Sequence, residues 1–88
     1  MEIIYSPKFA RKLNSFEFDL QEDVIEKIEL FKDIKNHKKL KVHKLNGYLK
    51  NSYSFYVNYR MRIVFQYLSK KNKQEVVFLV IGQHDIYK

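Results

Sequence analysis

Two arginines and two histidines are the side chains in this sequence best suited to chemistry. Arg60 and Arg62 are two residues apart in a stretch rich in tyrosine, so a β-strand there would place both on one face. Guanidinium groups bind phosphate without losing their proton, and neighbouring tyrosines can stack on a base. His84 follows the longest apolar run, His43 lies among lysines, and imidazole both accepts and donates protons near neutral pH. Together these groups predict chemistry on a phosphodiester.

Positive charge is concentrated in the second part of the chain. The first 33 residues hold eight acids and five bases, whereas the rest hold twelve bases and two acids. Clustered cations favour polyanions through counterion release, which predicts a phosphate-binding surface. Two other interpretations of this charge are a surface that only keeps the protein soluble and a surface that binds an anionic membrane. Membrane binding would favour a basic amphipathic helix. The candidate phosphate-binding lysines are Lys41, Lys44 and Lys50.

Length and composition exclude several classes of protein. A chain of 88 residues is sufficient for a single domain, 1–88. It has no cysteine, which excludes disulfides, thiolate metal sites and cysteine nucleophiles, and its two glycines cannot form a phosphate-binding loop. The three histidines lack metal-ligand spacing, so we expect no metal and no cofactor. Without a signal peptide or a long apolar run, the expected location is the cytoplasm.

The first third of the sequence predicts a strand and two helices. The apolar run Ile3–Tyr5 leads into Ser6 and Pro7, an N-cap followed by the residue favoured at the first helical position. Asp19 has capping-box spacing to the glutamate three residues later and predicts the start of the second helix, with Asn36 as its stop. The predicted buried stripes of the two helices are Phe9, Leu13, Phe16, Val24, Ile25, Ile28, Phe31 and Ile34.

The remainder predicts a sheet. Strand-forming residues fill 52–68, with a turn near Asn58 that divides them into a hairpin, and the apolar run Glu75–Ile81 predicts a central strand. In the basic loop, which is Lys41–Gly47 with Lys50 just after it, Leu45 is predicted to enter the core and Gly47 to turn the chain. The predicted fold class is α+β: a small β-α-α-β-β-β domain with two N-terminal helices packed on one face of a four-stranded antiparallel sheet.

Four stretches of the chain resemble a known family. They are IIYSPKFARKL near the start, VHKLNG, YSFYVNYRMRIVF, and VVFLVIGQHDIYK at the end. In this order they resemble the RelE/ParE superfamily of toxins from type II toxin–antitoxin systems, nearer to the RelE and YafQ ribonucleases than to ParE. The resemblance covers nearly the whole chain, and the RIVF strand with the terminal segment around His84 and Tyr87 is its most specific part.

The resemblance implies a metal-independent endoribonuclease, an mRNA interferase that inhibits translation by cutting mRNA in the ribosomal A site. The 2′-hydroxyl attacks the adjacent phosphate. Arg62 matches the family's phosphate-contacting arginine, His84 matches the position after the last strand, and Tyr87 matches a terminal aromatic that orients the substrate. His43 in the basic loop is a candidate for proton transfer and Arg60 for a further phosphate contact. This loop lacks an acid, so the general base stays unassigned.

Two alternatives share the same fold. The chain could be a ParE-like poison of DNA gyrase without nuclease activity, or a family member that binds its antitoxin with weak catalysis. The expected partners are a cognate antitoxin, in a hetero-oligomer, together with mRNA and the ribosome. We expect the antitoxin to be acidic where it covers the basic site.

Overall fold

A computed structural model describes residues 1–47, 51–69, 71, 74–83 and 86. The predicted order, a strand and two helices followed by a sheet, is confirmed. The elements are β1 (Glu2–Tyr5), α1 (Pro7–Asn14), α2 (Phe18–Phe31), a 3₁₀ turn (Ile34–Asn36), β2 (His43–Lys44), β3 (Tyr53–Tyr56), β4 (Arg62–Tyr67) and β5 (Glu75–Gly82). Of these, neither α1 nor α2 is long and apolar enough to cross a membrane.

Within the described residues, the sheet has five strands in the order β1-β5-β4-β3-β2. The α+β class is therefore confirmed, whereas the prediction of four antiparallel strands is wrong in two respects. The two-residue strand β2 forms a fifth strand at one edge of the sheet. It is too short to show an alternation of apolar and polar residues in the sequence. Strand β1 pairs with β5 in parallel, with Ile3 opposite Val76. Because parallel partners lie far apart along the chain, no local turn signal announces this pairing. The prediction that β5 is central is confirmed.

Helix α1 begins as its sequence predicts. The Ser6 hydroxyl oxygen accepts a hydrogen bond from the Phe9 N–H at 3.0 Å and donates to the Leu79 carbonyl at 2.7 Å, while Pro7 occupies the first turn. One side chain thus caps the helix and fastens it to β5. Because a capping hydroxyl uses only local geometry, this feature can be predicted from the sequence.

Helix α2 departs from the prediction at both ends. Its N-cap is Glu17, which makes no side-chain capping bond, and Asp19 lies in the first turn, so Asp19 is not the cap. There its carboxylate is still favourably placed beside the positive end of the helix dipole. The helix ends at Phe31, before Asn36, whose side chain donates to the Leu30 carbonyl at 2.9 Å. Asn36 therefore satisfies the C-terminal end of α2 from outside the helix.

The core lies between the helices and one face of the sheet, with Phe31 at its centre. Its ring stacks on Phe55 at 4.5 Å between centroids and meets Phe65 and Phe78 edge-on. The predicted stripes are confirmed for Phe9, Val24, Ile28 and Phe31, which are buried, and Leu13 and Phe16 pack partly against them. Ile25 and Ile34 are about half exposed and lie outside the core. Leu45 is only partly buried, so the prediction that it enters the core is wrong; Leu40, just before the basic loop, is buried there instead.

The two faces of the β3–β4 hairpin differ in polarity, although Val64 also lies on the more polar one. Phe55 of β3 and Ile63 of β4 point to the helices and are completely buried. Because side chains alternate along a strand, Ser54, Tyr56 and Arg62 point to the opposite face, which we call the outer face. The outer face therefore carries the polar side chains of the hairpin.

Candidate functional site

The outer face brings Tyr56 and Arg62 into direct contact. Tyr56 ends β3 and Arg62 begins β4, and the antiparallel register sets them opposite each other. The guanidinium carbon of Arg62 lies 3.6 Å from the centroid of the Tyr56 ring, a close cation–π stack. Arg62 was predicted from the sequence and Tyr56 was not, because only the register of the hairpin makes the two residues cross-strand partners.

The hairpin turn holds the other side of the Arg62 guanidinium. Its Nη1 donates to the carbonyl of Asn58 at 3.0 Å and to that of Met61 at 3.3 Å. Asn58 in turn accepts hydrogen bonds through Oδ1 from the N–H groups of Arg60 and Met61, which fixes the turn. The turn thus lies near Asn58, as predicted, and Arg62 is held between the turn and Tyr56.

Arg62 is a buried cation, with 8 % of its surface exposed. Buried charges in proteins normally have a charged partner, because desolvation without one is costly. Among the described residues, the ion pairs involve Lys27, Lys32 and Lys35, and no carboxylate pairs with Arg62. Stacking and two carbonyls hold this guanidinium, and within the described part of the chain its charge has no carboxylate partner. Such an arrangement suits an anionic ligand.

Lys41 and His43 join this face from the basic loop. The Lys41 ammonium lies 5.4 Å from the centroid of the Tyr56 ring, so the same ring contacts two cations. The loop is fixed here because the Tyr56 N–H donates to the carbonyl of Leu40 at 3.0 Å, and Lys41 turns the chain with a φ of 59°. His43 of β2 pairs with Ser54, which places its exposed ring on the outer face.

The hydrogen bond of His43 determines which ring nitrogen can accept a proton. Its Nδ1 lies 2.8 Å from the Lys41 carbonyl oxygen. A carbonyl can only accept, so Nδ1 carries the hydrogen and, in the neutral ring, Nε2 holds the free lone pair. His43 is two positions along from Tyr56 on the neighbouring strand, a diagonal spacing of about 7–8 Å between Cα atoms. An oriented base therefore stands beside the two cations.

Lys44 and Arg60 lie away from this group. Lys44 pairs with Tyr53, on the helix side of the sheet, because neighbouring residues of a strand face opposite ways. Arg60 lies in the turn before β4, so the expectation that Arg60 and Arg62 share a strand is wrong. Its guanidinium contacts exposed Tyr59 instead: Nε donates to the Tyr59 hydroxyl at 2.9 Å. The alternation pattern had assigned Arg60 and Met61 to the strand, but they precede β4, which begins at Arg62.

His84, Tyr87 and Lys50 lie outside the described residues, so their predicted roles stay predictions.

Gly82, two residues before His84 in the sequence, ends β5 directly opposite Arg62. A Cβ on Gly82 would overlap Cγ2 of Ile86, whose N–H donates to the Gln83 carbonyl at 3.0 Å. The absence of a side chain at Gly82 thus lets Ile86 fold back onto the end of β5.

His37, between the 3₁₀ turn and β2, has a structural role. The His37 ring stacks on Phe31 at 4.5 Å, and its Nε2 lies 2.8 Å from the Phe31 carbonyl oxygen. It therefore closes the end of α2 and is directed away from the outer face. In the described part of the chain, no three His, Asp or Glu side chains are grouped as metal ligands. The site consists of Lys41, His43, Tyr56 and Arg62, which we call the cationic cluster.

Solved structures share this architecture over almost the entire chain. A YoeB–YefM complex from Staphylococcus aureus matches with a TM-score of 0.73 at 17 % identity, covering 96 % of this chain and 97 % of that one. The archaeal RelE–RelB complex from Pyrococcus horikoshii matches with a TM-score of 0.69 at 14 % identity, covering 93 % and 92 %. A YafQ variant from E. coli gives 0.66 at 16 % identity, covering 98 % and 96 %.

The chain has the RelE/ParE toxin fold. This confirms the fold that the sequence resemblance implied, in a chain whose identity to these structures is below 20 %. No protein-family model and no curated protein matches the sequence. Since the similarity establishes the fold alone, the chemistry must be argued from the cationic cluster, which lies on the outer face of this toxin fold.

Proposed function

We propose that this protein is the toxin of a toxin–antitoxin pair and that it cleaves mRNA by activating the RNA's own 2′-hydroxyl. The observation that carries the proposal is the buried guanidinium of Arg62, stacked on Tyr56 without a carboxylate partner among the described residues. A phosphodiester supplies the negative charge that the described residues around Arg62 do not provide. Action in the ribosomal A site would place the protein in the cytoplasm.

Arg62 and Lys41 are proposed to hold the scissile phosphate. When the 2′-oxygen attacks, negative charge accumulates on the non-bridging phosphate oxygens. A guanidinium already fixed by stacking and by two carbonyls stabilises that charge without having to reorganise. Lys41, on the same ring, provides a second cation. Neither group has to transfer a proton for this purpose.

His43 is proposed as the general base. Its Nε2 is the lone-pair nitrogen, because Nδ1 donates to the Lys41 carbonyl, and the ring is exposed to substrate. It would remove the proton of the 2′-hydroxyl as the new oxygen–phosphorus bond forms. The bond from phosphorus to the 5′-oxygen then breaks, which leaves a 2′,3′-cyclic phosphate and a 5′-hydroxyl. The proton that the 5′-oxygen needs is assigned, by the sequence resemblance, to His84, with Tyr87 orienting the substrate.

The proposed partners follow from the same charge. The YoeB and RelE structures that share the fold are complexes, YoeB–YefM and RelE–RelB. We extend to this chain the prediction of an antitoxin that covers the cationic cluster with acidic side chains. Co-expression with such a partner should relieve growth arrest.

The test compares two arginines that are two residues apart. Arg62→Ala removes the charge from the cationic cluster, and Arg60→Ala removes the same charge from the exposed turn. Loss of one fixed charge-stabilising donor costs about 10²–10³ in rate, so Arg62→Ala should reduce mRNA cleavage by this factor. Arg60→Ala should retain most of the activity. The measurement is primer extension on mRNA in a translation extract after the purified protein is added.

The controls separate the alternatives. Equal cleavage by wild type and Arg62→Ala would refute the proposal. DNA breaks without RNA cuts on induction would indicate a gyrase poison instead. Growth arrest with neither product would leave the antitoxin-binding interpretation of the fold.

A further inference from the structure

Two adjoining cavities form a groove between the helices and the end of β5. The first, of about 540 Å³, is lined by Lys8, Arg11, Lys12, Ser15, Val80, Ile81 and Ile86. The second, of about 510 Å³, is lined by residues that include Lys12, Phe16, Met61, Ile81, Gly82 and Ile86. They share Lys12, Ile81 and Ile86, and so form one continuous depression, which we call the α1 groove.

The wall of the α1 groove is cationic. Lys8, Arg11 and Lys12 follow the spacing that places residues on one side of a helix, and all three are exposed. None forms an ion pair within the described residues, in contrast to the lysines of α2 and of the following turn. Among the described residues, no acidic side chain lines either cavity. This part of the wall therefore attracts anionic groups.

The floor of the α1 groove is apolar. Val80, Ile81 and Ile86 supply it, and Phe16 extends it beneath Lys12, whose ammonium lies 6.0 Å from the Phe16 ring centroid. Lys8 and Lys12 are one helical turn apart, a rise of about 6 Å along α1. A single strand of nucleic acid combines regularly spaced charges with apolar ribose and base surfaces, and it matches both the wall and the floor.

The α1 groove ends at the residue of β5 that pairs with Arg62. Gly82 lines the second cavity and is the register partner of Arg62 in the neighbouring strand. One strand spacing, about 4.8 Å, thus separates the backbone at the end of the groove from that of the residue proposed to hold the scissile phosphate. The second cavity lies on the helix side of the sheet and Arg62 on the outer face, so an RNA strand that occupies both passes around the end of β5 beside Gly82.

We infer that the α1 groove is a second phosphate-binding site, which holds the RNA backbone beyond the scissile phosphate. This inference depends on the proposed function, because it takes the same RNA strand as its ligand. Lys8, Arg11 and Lys12 contact phosphates, while the apolar floor supports the sugars and bases. The site gives affinity for longer RNA, and the cleavage chemistry stays at the cationic cluster.

The experiment compares two triple variants with equal loss of charge. One is Lys8→Gln, Arg11→Gln, Lys12→Gln in the α1 groove, and the control is Lys27→Gln, Lys32→Gln, Lys35→Gln near α2. The probes are fluorescent 2′-O-methyl RNAs, which lack the nucleophile and are not cut, with lengths of about three and about ten nucleotides. Fluorescence anisotropy gives the affinity of each probe as a function of salt, and circular dichroism verifies that each variant is folded.

Each phosphate contact on single-stranded nucleic acid changes the slope of log affinity against log salt by about 0.7, so three contacts contribute about 2 to the slope. At 0.1 M salt, the groove variant should lose about 100-fold in affinity for the longer RNA and little for the shorter one. The control should lose much less. Equal losses in the two variants, or an unchanged slope in the groove variant, would overturn the inference. Selective loss of binding to an acidic protein segment, with RNA binding intact, would also overturn it.

The outcome for Arg62 separates this inference from the proposed function. If Arg62→Ala still cuts RNA while the groove variant loses affinity for the longer probe, the proposed cleavage site is wrong and the α1 groove remains an RNA site. If Arg62→Ala abolishes cutting while the groove variant binds RNA normally, the reverse holds. Each failure therefore has its own signature.

Discussion

The Tyr56 ring should control how well Arg62 functions, although Tyr56 itself transfers no proton. The guanidinium carbon lies 3.6 Å from the ring centroid and Arg62 is largely desolvated, which places this contact near the strong end of cation–π interactions, about 2 kcal/mol. Since about 1.4 kcal/mol corresponds to a factor of ten in rate, Tyr56→Leu should reduce kcat/KM for RNA cleavage by up to about 30-fold. Tyr56→Phe keeps the ring and should remain close to wild type.

The kinetic pattern distinguishes a positioning role from a general loss of structure. If Tyr56 holds Arg62 for the developing charge, kcat should fall more than KM rises. In an Arg62→Ala background, Tyr56→Leu should add little, because the group that it positions is already missing. The assay is cleavage of a fluorescent mRNA in the presence of ribosomes, with thermal melting as the folding control. Independent, multiplicative losses from the two substitutions would refute the reasoning, as would a Tyr56→Phe variant as impaired as Tyr56→Leu.

Two further predictions concern stability. Phe31→Ala empties the centre of the core and should cost about 3–5 kcal/mol, lowering Tm by at least about 12 °C, whereas Ile25→Ala on the exposed side of the same helix should cost less than about 1 kcal/mol. Similar melting curves for the two variants would contradict the assigned core. Burial, and to a lesser degree Tyr53, raises the pKa of Tyr67 above its ordinary value of 10.0. The neutral phenol is thus favoured in the folded state, so its contribution is complete below pH 10 and is lost as the pH rises through the higher folded pKa. As the pH rises above 10, the Tm of the wild type should therefore fall more than the Tm of Tyr67→Phe. An equal fall of Tm with pH in the two proteins would exclude this effect.

Local signals in the sequence were sufficient for the elements whose ends depend on neighbouring residues. Ser6 and Pro7 start α1 as predicted, because a hydroxyl cap and a fixed φ act within one turn. Gly47 turns the chain with a φ of +74°, as its residue type predicts. Asp19 shows where local signals are insufficient. Capping-box spacing is compatible with more than one helix start, and α2 begins one residue before Asp19.

Pairing between distant segments could not be predicted in this way. Strand β1 lies parallel to β5 at the other end of the chain, and the two residues of β2 become a strand only because β3 offers them a partner. Their hydrogen bonds depend on the register of the folded sheet, which the local sequence does not encode.

The candidate site, like the fold, could be predicted only in part from the sequence. The residue types alone indicated a phosphate ligand: Arg62, Lys41 and His43 were all selected from the sequence, because charge and proton affinity belong to the side chain itself. Only the tertiary structure separated Lys44 and Arg60 from them, since strand alternation and the position of one turn decide which way each side chain points. It alone brought Tyr56 beneath Arg62 and aligned the α1 groove with the end of β5. Chemistry is a property of single residues, whereas a site requires distances, and these arise when segments far apart in sequence bury a common core.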